Sequence, residues 1–319
     1  MRVYRDFGRS DTRGLPPAAR GSIAAIGNFD GVHLGHRAVI GAAKKMAQAL
    51  SRPLSVVTFE PHPRRFFKPD LPPFLLATAR RKIELLAELG VDFCFALRFD
   101  ANLAAHSADA FVQNCLIQDL DLAGIVAGYD FAFGRARTGT AKTLSDAMRA
   151  AGRAVEIVAP ARDADPDRQS AGVYSSTAIR NALTAGDVAT AARLLGRPFS
   201  VDGRVRHGDK RGRTIGFPTA NLALGPCLPP AYGVYAVRVG GIGSAPVNGV
   251  ANLGVRPTAG GDPAPRLEVH LFDFDGDLYG RRLRVSFAHF LRAEQKFADF
   301  AALKAQIARD ADAARALLA

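Results

Sequence analysis

The stretch Gly27-Asn-Phe-Asp-Gly-Val-His-Leu-Gly-His36 puts three glycines and two histidines into ten residues, directly after a short apolar run at 22–26. Glycines let the backbone turn sharply and approach a ligand closely. A helix opening at this point would offer unpaired N–H groups and the positive end of its dipole, which together bind anions. His33 and His36 lie three residues apart and share one face at the helix start. Two imidazoles placed there can donate hydrogen bonds to phosphate oxygens as charge builds in a transition state. Taken singly, the same pair also suits capping or core histidines beside a turn.

A second group lies far along the chain. In Pro218-Thr-Ala-Asn221, the oxygens of Thr219 and Asn221 fall on one side of an extended segment. Hard oxygen ligands of this kind suit magnesium, which keeps water and substrate phosphate in its other positions. Just before them, Gly208, Gly212 and Gly216 alternate with Lys210, Arg211 and Arg213, a loop that can bring amides and charge to phosphates. In Leu267-Glu-Val-His-Leu-Phe272, strand alternation sends Glu268 and His270 to the face opposite Leu267, Val269 and Leu271. Glu268 is either a solvent-face residue or a general base. Ser175, Ser176 and Thr177 open a helix, with Arg180 one turn along; they can cap its amides or hold phosphate. Asn28 and Asp130 serve a turn or a ligand equally well. His62, between two prolines, does the same for its loop.

Apolar runs at 22–26, 54–59, 93–99, 123–127 and 154–158 read as buried strands, separated by helical patterns at 35–50, 77–89, 107–120 and 140–151. That alternation predicts a doubly wound parallel sheet covered on both faces, with ligands beyond the carboxyl ends of its strands. Residues 159–172 read as a polar loop and 177–196 as helical; 233–239, 267–272 and 283–287 then read as antiparallel strands of a barrel or sandwich, closed by a helix near 297–318. Division falls at 1–183 and 184–319.

The 319 residues carry 42 Lys+Arg against 30 Asp+Glu, a net charge of +12, with 48% hydrophobic residues and a mean hydropathy of +0.02. The composition is that of a globular protein with no membrane segment or leader. The basic charge suits nucleic acid or polyanionic nucleotides, but it is scattered and lacks an aromatic RNA-binding motif. Three widely spaced cysteines indicate neither a disulfide framework nor a zinc cluster, and Cys94 and Cys115 sit in apolar surroundings. A soluble cytoplasmic protein is expected.

His33-Leu-Gly-His36 resembles the HxGH signature of adenylyltransferases. The wider pattern resembles the bifunctional prokaryotic FAD synthetases, a riboflavin kinase fused to an FMN adenylyltransferase. Thr58-Phe-Glu-Pro-His-Pro-Arg-Arg-Phe66, Gly128-Tyr-Asp-Phe-Ala-Phe-Gly-Arg135 and Tyr174-Ser-Ser-Thr-Ala-Ile-Arg180 extend the likeness through the first half. Pro218–Asn221, Asn252–Pro257 and Phe290–Phe297 carry it through the second. The resemblance implies a nucleotidyltransferase-like α/β domain followed by an antiparallel β-barrel kinase domain with a terminal helix. It implies Glu268 as the kinase base, Thr219 and Asn221 at magnesium, and His33 and His36 as the transferase's catalytic pair. It places Gly27, Asn28, Asp30, His62, Asp130, Ser175, Ser176, Thr177, Arg180, Gly208, Lys210, Arg213, Gly216 and Arg292 at nucleotide or flavin. Riboflavin, FMN and ATP are then the small-molecule partners, with FMN and FAD as substrate and product rather than prosthetic groups, and neither nucleic acid nor membrane is needed. Ala132 and Ala178 stand where family members commonly carry basic residues, and Ala293 where they carry proline. The rival expectation is a riboflavin kinase with a weak or regulatory N-terminal nucleotide-binding module. The oligomeric state is open.

Overall fold

The computed structural model describes residues 1–5, 15–161, 172–207, 217–257 and 263–319. Two compact units emerge: Met1–Leu71 with Ala79–Tyr174, and Pro72–Thr78 with Ser175–Ala319.

In the first unit, strands β1 (Arg2–Arg5), β2 (Ile23–Ile26), β3 (Leu54–Glu60), β4 (Phe93–Arg98) and β5 (Gly124–Gly128) precede a two-stranded ribbon, β6 (Ala132–Phe133) and β7 (Gly139–Thr140); β8 (Ala154–Val158) ends the unit. The main sheet runs β1-β4-β3-β2-β5-β8 and is parallel throughout. Its connections carry α1 (Leu34–Ala49), α2 (Pro63–Phe67), α3 (Ala79–Glu88), α4 (Ala101–Ala105), α5 (Ala108–Ala110) and α6 (Ala141–Ala150). Alternation along each strand feeds two cores. Ile23, Ala25, Val56, Cys94 and Val126 pack under α1 and α3, through Val39, Ile40, Ala43, Leu85 and Leu86. Ala24, Ile26, Val57, Phe95 and Ile125 face the other way, under Phe111, Leu116, Leu144 and Met148. Burial on both faces is why these strands read as continuous apolar runs. The order in which strands are added reverses at β2, with β3 and β4 to one side and β5 and β8 to the other, so the ligand crevice of such a sheet opens between β2 and β5.

The predicted helix 107–120 is only briefly α-helical: from Phe111 to Asp119 it winds as a wider π-helix. Strand β1 escapes sequence reading because its four residues are an edge with arginine at both ends.

All three cysteines are buried and reduced. Burial pushes the Cys94 thiol from 9.0 up to about 11 and that of Cys115 up to about 12. Native protein is therefore expected to resist an aromatic disulfide reagent at mildly alkaline pH and to release three equivalents only in denaturant. Above pH 9 an unfolded chain loses these protons while the folded one keeps them, so the stability tied to both thiols falls as pH rises from 9 toward those values. Rapid labelling mapped to Cys94 or Cys115 in the native state would show that the packing around these thiols opens readily.

The second unit begins with α7 (Ser176–Thr184) and α8 (Val188–Leu195), which divide the predicted helix 177–196. Gly186 adopts φ +80° between them, and Asp187 caps α8 by accepting the Thr190 N–H at 2.8 Å. Strands β9 (Ser200–Arg204), β10 (Ala220–Ala223), β11 (Gly233–Gly240), β12 (Val247–Pro257), β13 (Pro263–Leu271) and β14 (Arg282–Ala293) form one antiparallel sheet in the order β10-β13-β12-β11-β14-β9. The Arg206 N–H donates to the Asn221 carbonyl at 2.9 Å, bringing the sheet's two edges together. The choice between barrel and sandwich is thereby resolved as a nearly closed barrel. Tyr235, Val237, Val285, Phe287, Leu267 and Val269 fill its interior. The last helix, α9 (Phe300–Leu318), lays Ala311, Ala314 and Leu318 on the outer face formed by Val234, Ala236, Val250 and Phe272.

Gly233 starts β11 at φ +156°, where a Cβ would run into the Arg292 carbonyl oxygen and lie 2.7 Å from the Phe290 ring. Gly233→Ala is expected to lower the stability of the barrel by about 3 kcal/mol, read as an earlier midpoint in denaturant followed by circular dichroism. An unchanged midpoint would mean that β14 yields freely at this point.

Candidate active sites

In the first unit the glycine-rich turn leaves β2 and enters α1. Phe29, Gly31 and Val32 adopt φ of +48°, +79° and +43°. For phenylalanine and β-branched valine these are strained conformations, of about 1–3 kcal/mol each, kept only where surrounding structure over-determines them. That structure is burial: Phe29 and Val32 are each 1% exposed, and Asp30 and His33 are also buried. His33 is the N-cap of α1, its Nδ1 accepting the His36 N–H at 3.3 Å. The proton of a neutral His33 ring therefore sits on Nε2. The two imidazoles stack with centroids 3.6 Å apart, and the Phe29 ring meets His36 edge-on at 5.3 Å. Gly35 permits this, since a Cβ there would lie 3.1 Å from the His33 ring and from the Tyr174 carbonyl. The predicted histidine face is thus present as a stacked pair at a helix N-terminus.

One residue past the Ile26–Ala127 pair, Gly27 and Gly128 leave β2 and β5 at the switch point. The exposed Asp130 carboxylate folds back beside Gly128, 3.2 Å from where a Cβ would stand. Asn28 is exposed, but its carbonyl is tied down by the Thr58 hydroxyl at 3.2 Å. Half-buried His62 caps α2 through the Arg64 N–H at 3.1 Å. Ala132 pairs with Thr140 in the β6–β7 ribbon. Sequence reading missed Lys82. In the run Arg80-Arg81-Lys82 it looks like part of a charged helix face, yet it is only 5% exposed and its ammonium reaches Asn28, Thr58 and Glu60 at the ends of β2 and β3. No local signal separates it from its neighbours.

Ser175 to Arg180 belong to the second unit. Ser175 caps α7, accepting the Ala178 N–H at 3.1 Å, which puts Ser176 and Thr177 in the first turn. The Arg180 guanidinium donates through Nε to the Phe74 carbonyl at 2.8 Å and lies over the Phe74 ring at 5.7 Å, holding the Pro72–Thr78 segment.

On the barrel, Glu268 of β13 stands in direct register between Asn221 of β10 and Asn252 of β12. Ala220, Leu222, Leu267 and Val269 point to the interior, so the three polar side chains and Thr219 share the outer face. Asn221 is 9% exposed, its amide nitrogen turned to the Thr219 carbonyl at 3.5 Å. His270 Nδ1 donates to the Pro218 carbonyl at 2.9 Å, and Phe217 meets its ring edge-on at 5.1 Å. That bond holds the threonine segment against β13. Asn252 is an addition that only strand register reveals. Arg292 pairs through Nε and Nη2 with Asp310 at 3.0 and 2.7 Å, clamping α9 to β14. Gly208, Lys210, Arg213 and Gly216 lie outside the described residues.

Two families of known proteins match this chain in succession. The FAD synthetase family matches residues 15–171 and the riboflavin kinase family residues 195–318. The bifunctional riboflavin kinase/FMN adenylyltransferase of Pseudomonas fluorescens is 47% identical, covering 96% of each chain. Its namesake from Escherichia coli strain K12 is 44% identical over 92% of each. A solved structure described as a macrolide-efflux protein from Streptococcus pneumoniae superposes with a TM-score of 0.85 at 32% identity, covering 98% of both chains. With two family matches in succession and relatives alike along nearly the whole length, this chain belongs to the bifunctional riboflavin kinase/FMN adenylyltransferase family.

Proposed function

We propose that the barrel phosphorylates riboflavin with ATP, giving FMN and ADP, and that the parallel-sheet unit then transfers AMP from a second ATP to FMN, giving FAD and pyrophosphate. The observation that carries this reading is the pairing of two sites of different chemistry in one chain: an acid–amide row on a rigid strand and a stacked histidine pair at a helix N-terminus. With it goes a division into a transferase domain, 1–183, and a kinase domain, 184–319, a boundary inside α7, whereas the compact units part between Tyr174 and Ser175.

In the kinase reaction, the Glu268 carboxylate takes the proton of the terminal ribityl hydroxyl as that oxygen attacks the γ-phosphorus and ADP departs. Thr219 and Asn221 are the residues suited to hold magnesium: neutral oxygens, with a carboxylate in direct register with Asn221. Such a sparse donor set matches a cation that keeps water and phosphate, and magnesium when bound supplies charge neutralisation on the phosphates. Gly208, Lys210, Arg213 and Gly216 add amides and charge for the same phosphates, and Arg292 borders the flavin or nucleotide.

In the transferase reaction, an FMN phosphate oxygen attacks the α-phosphorus and the bond to pyrophosphate breaks. No bond to the enzyme forms. His33 and His36 hold the charge that builds on the α- and β-phosphates. Gly27, Asn28, Asp30, His62 and Asp130 line the ligand, and Ser175, Ser176, Thr177 and Arg180 hold ATP phosphates. Small molecules suffice as partners. Cytoplasmic residence fits both substrates, and among the described residues no helix is long and apolar enough to cross a membrane.

Chromatography of products from riboflavin, ATP and MgCl₂ tests the whole scheme. FMN followed by FAD is expected. FMN accumulating without FAD would favour the regulatory reading of the first unit, and no flavin product would overturn both assignments.

A further inference from the structure

We propose that Lys82 is a positioning residue for adenylyl transfer: its buried ammonium holds the turn from Gly27 to His36 in the shape that presents the two histidines. The inference rests on the reading of the first unit as the adenylyltransferase.

Lys82 comes from α3, on a different connection from the turn, and its side chain is 6% exposed. An ammonium has three hydrogens to donate, and three acceptors surround this one. They are the Asn28 carbonyl at 3.3 Å, the Thr58 hydroxyl at 3.1 Å and the Glu60 carboxylate at 2.5 Å. The Thr58 hydroxyl passes its own hydrogen to the same Asn28 carbonyl at 3.2 Å, which closes the network. With all three hydrogens engaged, Lys82 is placed to hold protein rather than to bind substrate.

What it holds is the decisive peptide. The Asn28 carbonyl shares its peptide plane with the Phe29 nitrogen, and Phe29 is the first residue of the turn with positive φ, +48°. Anchoring that oxygen restrains the rotation that starts the turn. Three residues beyond Phe29 stands Val32 at +43°, then the His33 cap and the stacked rings. Glu60 ends β3, the strand hydrogen-bonded to β2, so the clamp joins the carboxyl ends of two neighbouring strands beside the crevice. Stability alone is a poor reason for such an arrangement, because well-packed apolar side chains commonly replace a buried ion pair without loss. Geometry at the strand ends is a better one.

The test uses the full-length enzyme with Lys82→Met and Lys82→Arg. Both reactions are followed on each preparation, with kcat and KM for FAD formation and the unfolding midpoint. Lys82→Met is expected to lower kcat for FAD formation about 100-fold, the scale on which a misplacement near 1 Å acts. KM for ATP and FMN should stay within about threefold, and riboflavin phosphorylation within about twofold. Lys82→Arg should recover at least tenfold of the loss. A purely structural lysine predicts a lower midpoint with kcat per folded molecule unchanged; that result overturns the proposal, as does a rise in KM with kcat intact. If Lys82→Met abolishes both reactions by misfolding, Thr58→Val decides, since it removes the hydroxyl that links the ammonium to Asn28 while Glu60 still pairs the charge. A tenfold or greater loss of kcat supports the clamp, and an unchanged kcat overturns it. Failure of the wild-type enzyme to make FAD would remove the first unit's reaction itself, a failure seen before any variant is made.

Discussion

Glu268→Gln is expected to slow conversion of riboflavin to FMN about 1,000-fold while leaving conversion of FMN to FAD intact. Glutamine keeps the shape of the side chain and the register of β13 between Asn221 and Asn252, so the barrel should fold as before. What disappears is the carboxylate that takes a proton. A primary alcohol is a poor nucleophile until its proton has somewhere to go, and phosphoryl transfer otherwise depends on positioning and charge neutralisation. The side chains in direct register with Glu268 are the amides of Asn221 and Asn252, and two residues along β13 the Nδ1 of His270 is already bound to the Pro218 carbonyl. None of them substitutes readily for the carboxylate. Activity within tenfold of wild type would show that the proton leaves by another route. Loss of both reactions would point to misfolding, and the unfolding midpoint would reveal it.

His36→Ala has the second largest expected effect, a fall of about 100- to 1,000-fold in FAD formation with riboflavin phosphorylation unaltered. The ring stacks on His33 at 3.6 Å and removing it takes away one donor and the support of the other. His33→Ala should do as much to the reaction and also destabilise the unit by about 1 kcal/mol, because His33 caps α1. The two contributions separate with His33→Asn. Asparagine can cap a helix, so stability should return while FAD formation stays low. Full activity in His33→Asn would reduce the residue to a cap.

The net charge of +12 finds its use in these two reactions, both of which handle triphosphates.

Some of this protein was determined by local sequence. An apolar run, a glycine-rich turn and a helix pattern are contiguous between residues 22 and 50, so the turn at a helix start and the shared face of its two histidines were legible from spacing alone. Period-two alternation likewise settles that Thr219 and Asn221 share a side, and that Glu268 and His270 do. Continuous apolar strands between helices require a sheet buried on both faces, hence the parallel order. The rest depended on pairings between distant segments, and local periodicity is silent about those. Register, set by the packing of whole strands, is what brings Asn221 and Asn252 beside Glu268. Closure through Arg206 and Asn221 decided barrel over sandwich. The pairing of Arg292, a ligand candidate from sequence, with Asp310 on α9 appeared only in the fold. Lys82 lies 54 residues from the carbonyl it holds. A lysine in a helix pattern carries the same letter whether it faces water or a strand end, and only the docking of α3 onto the sheet turns this one inward.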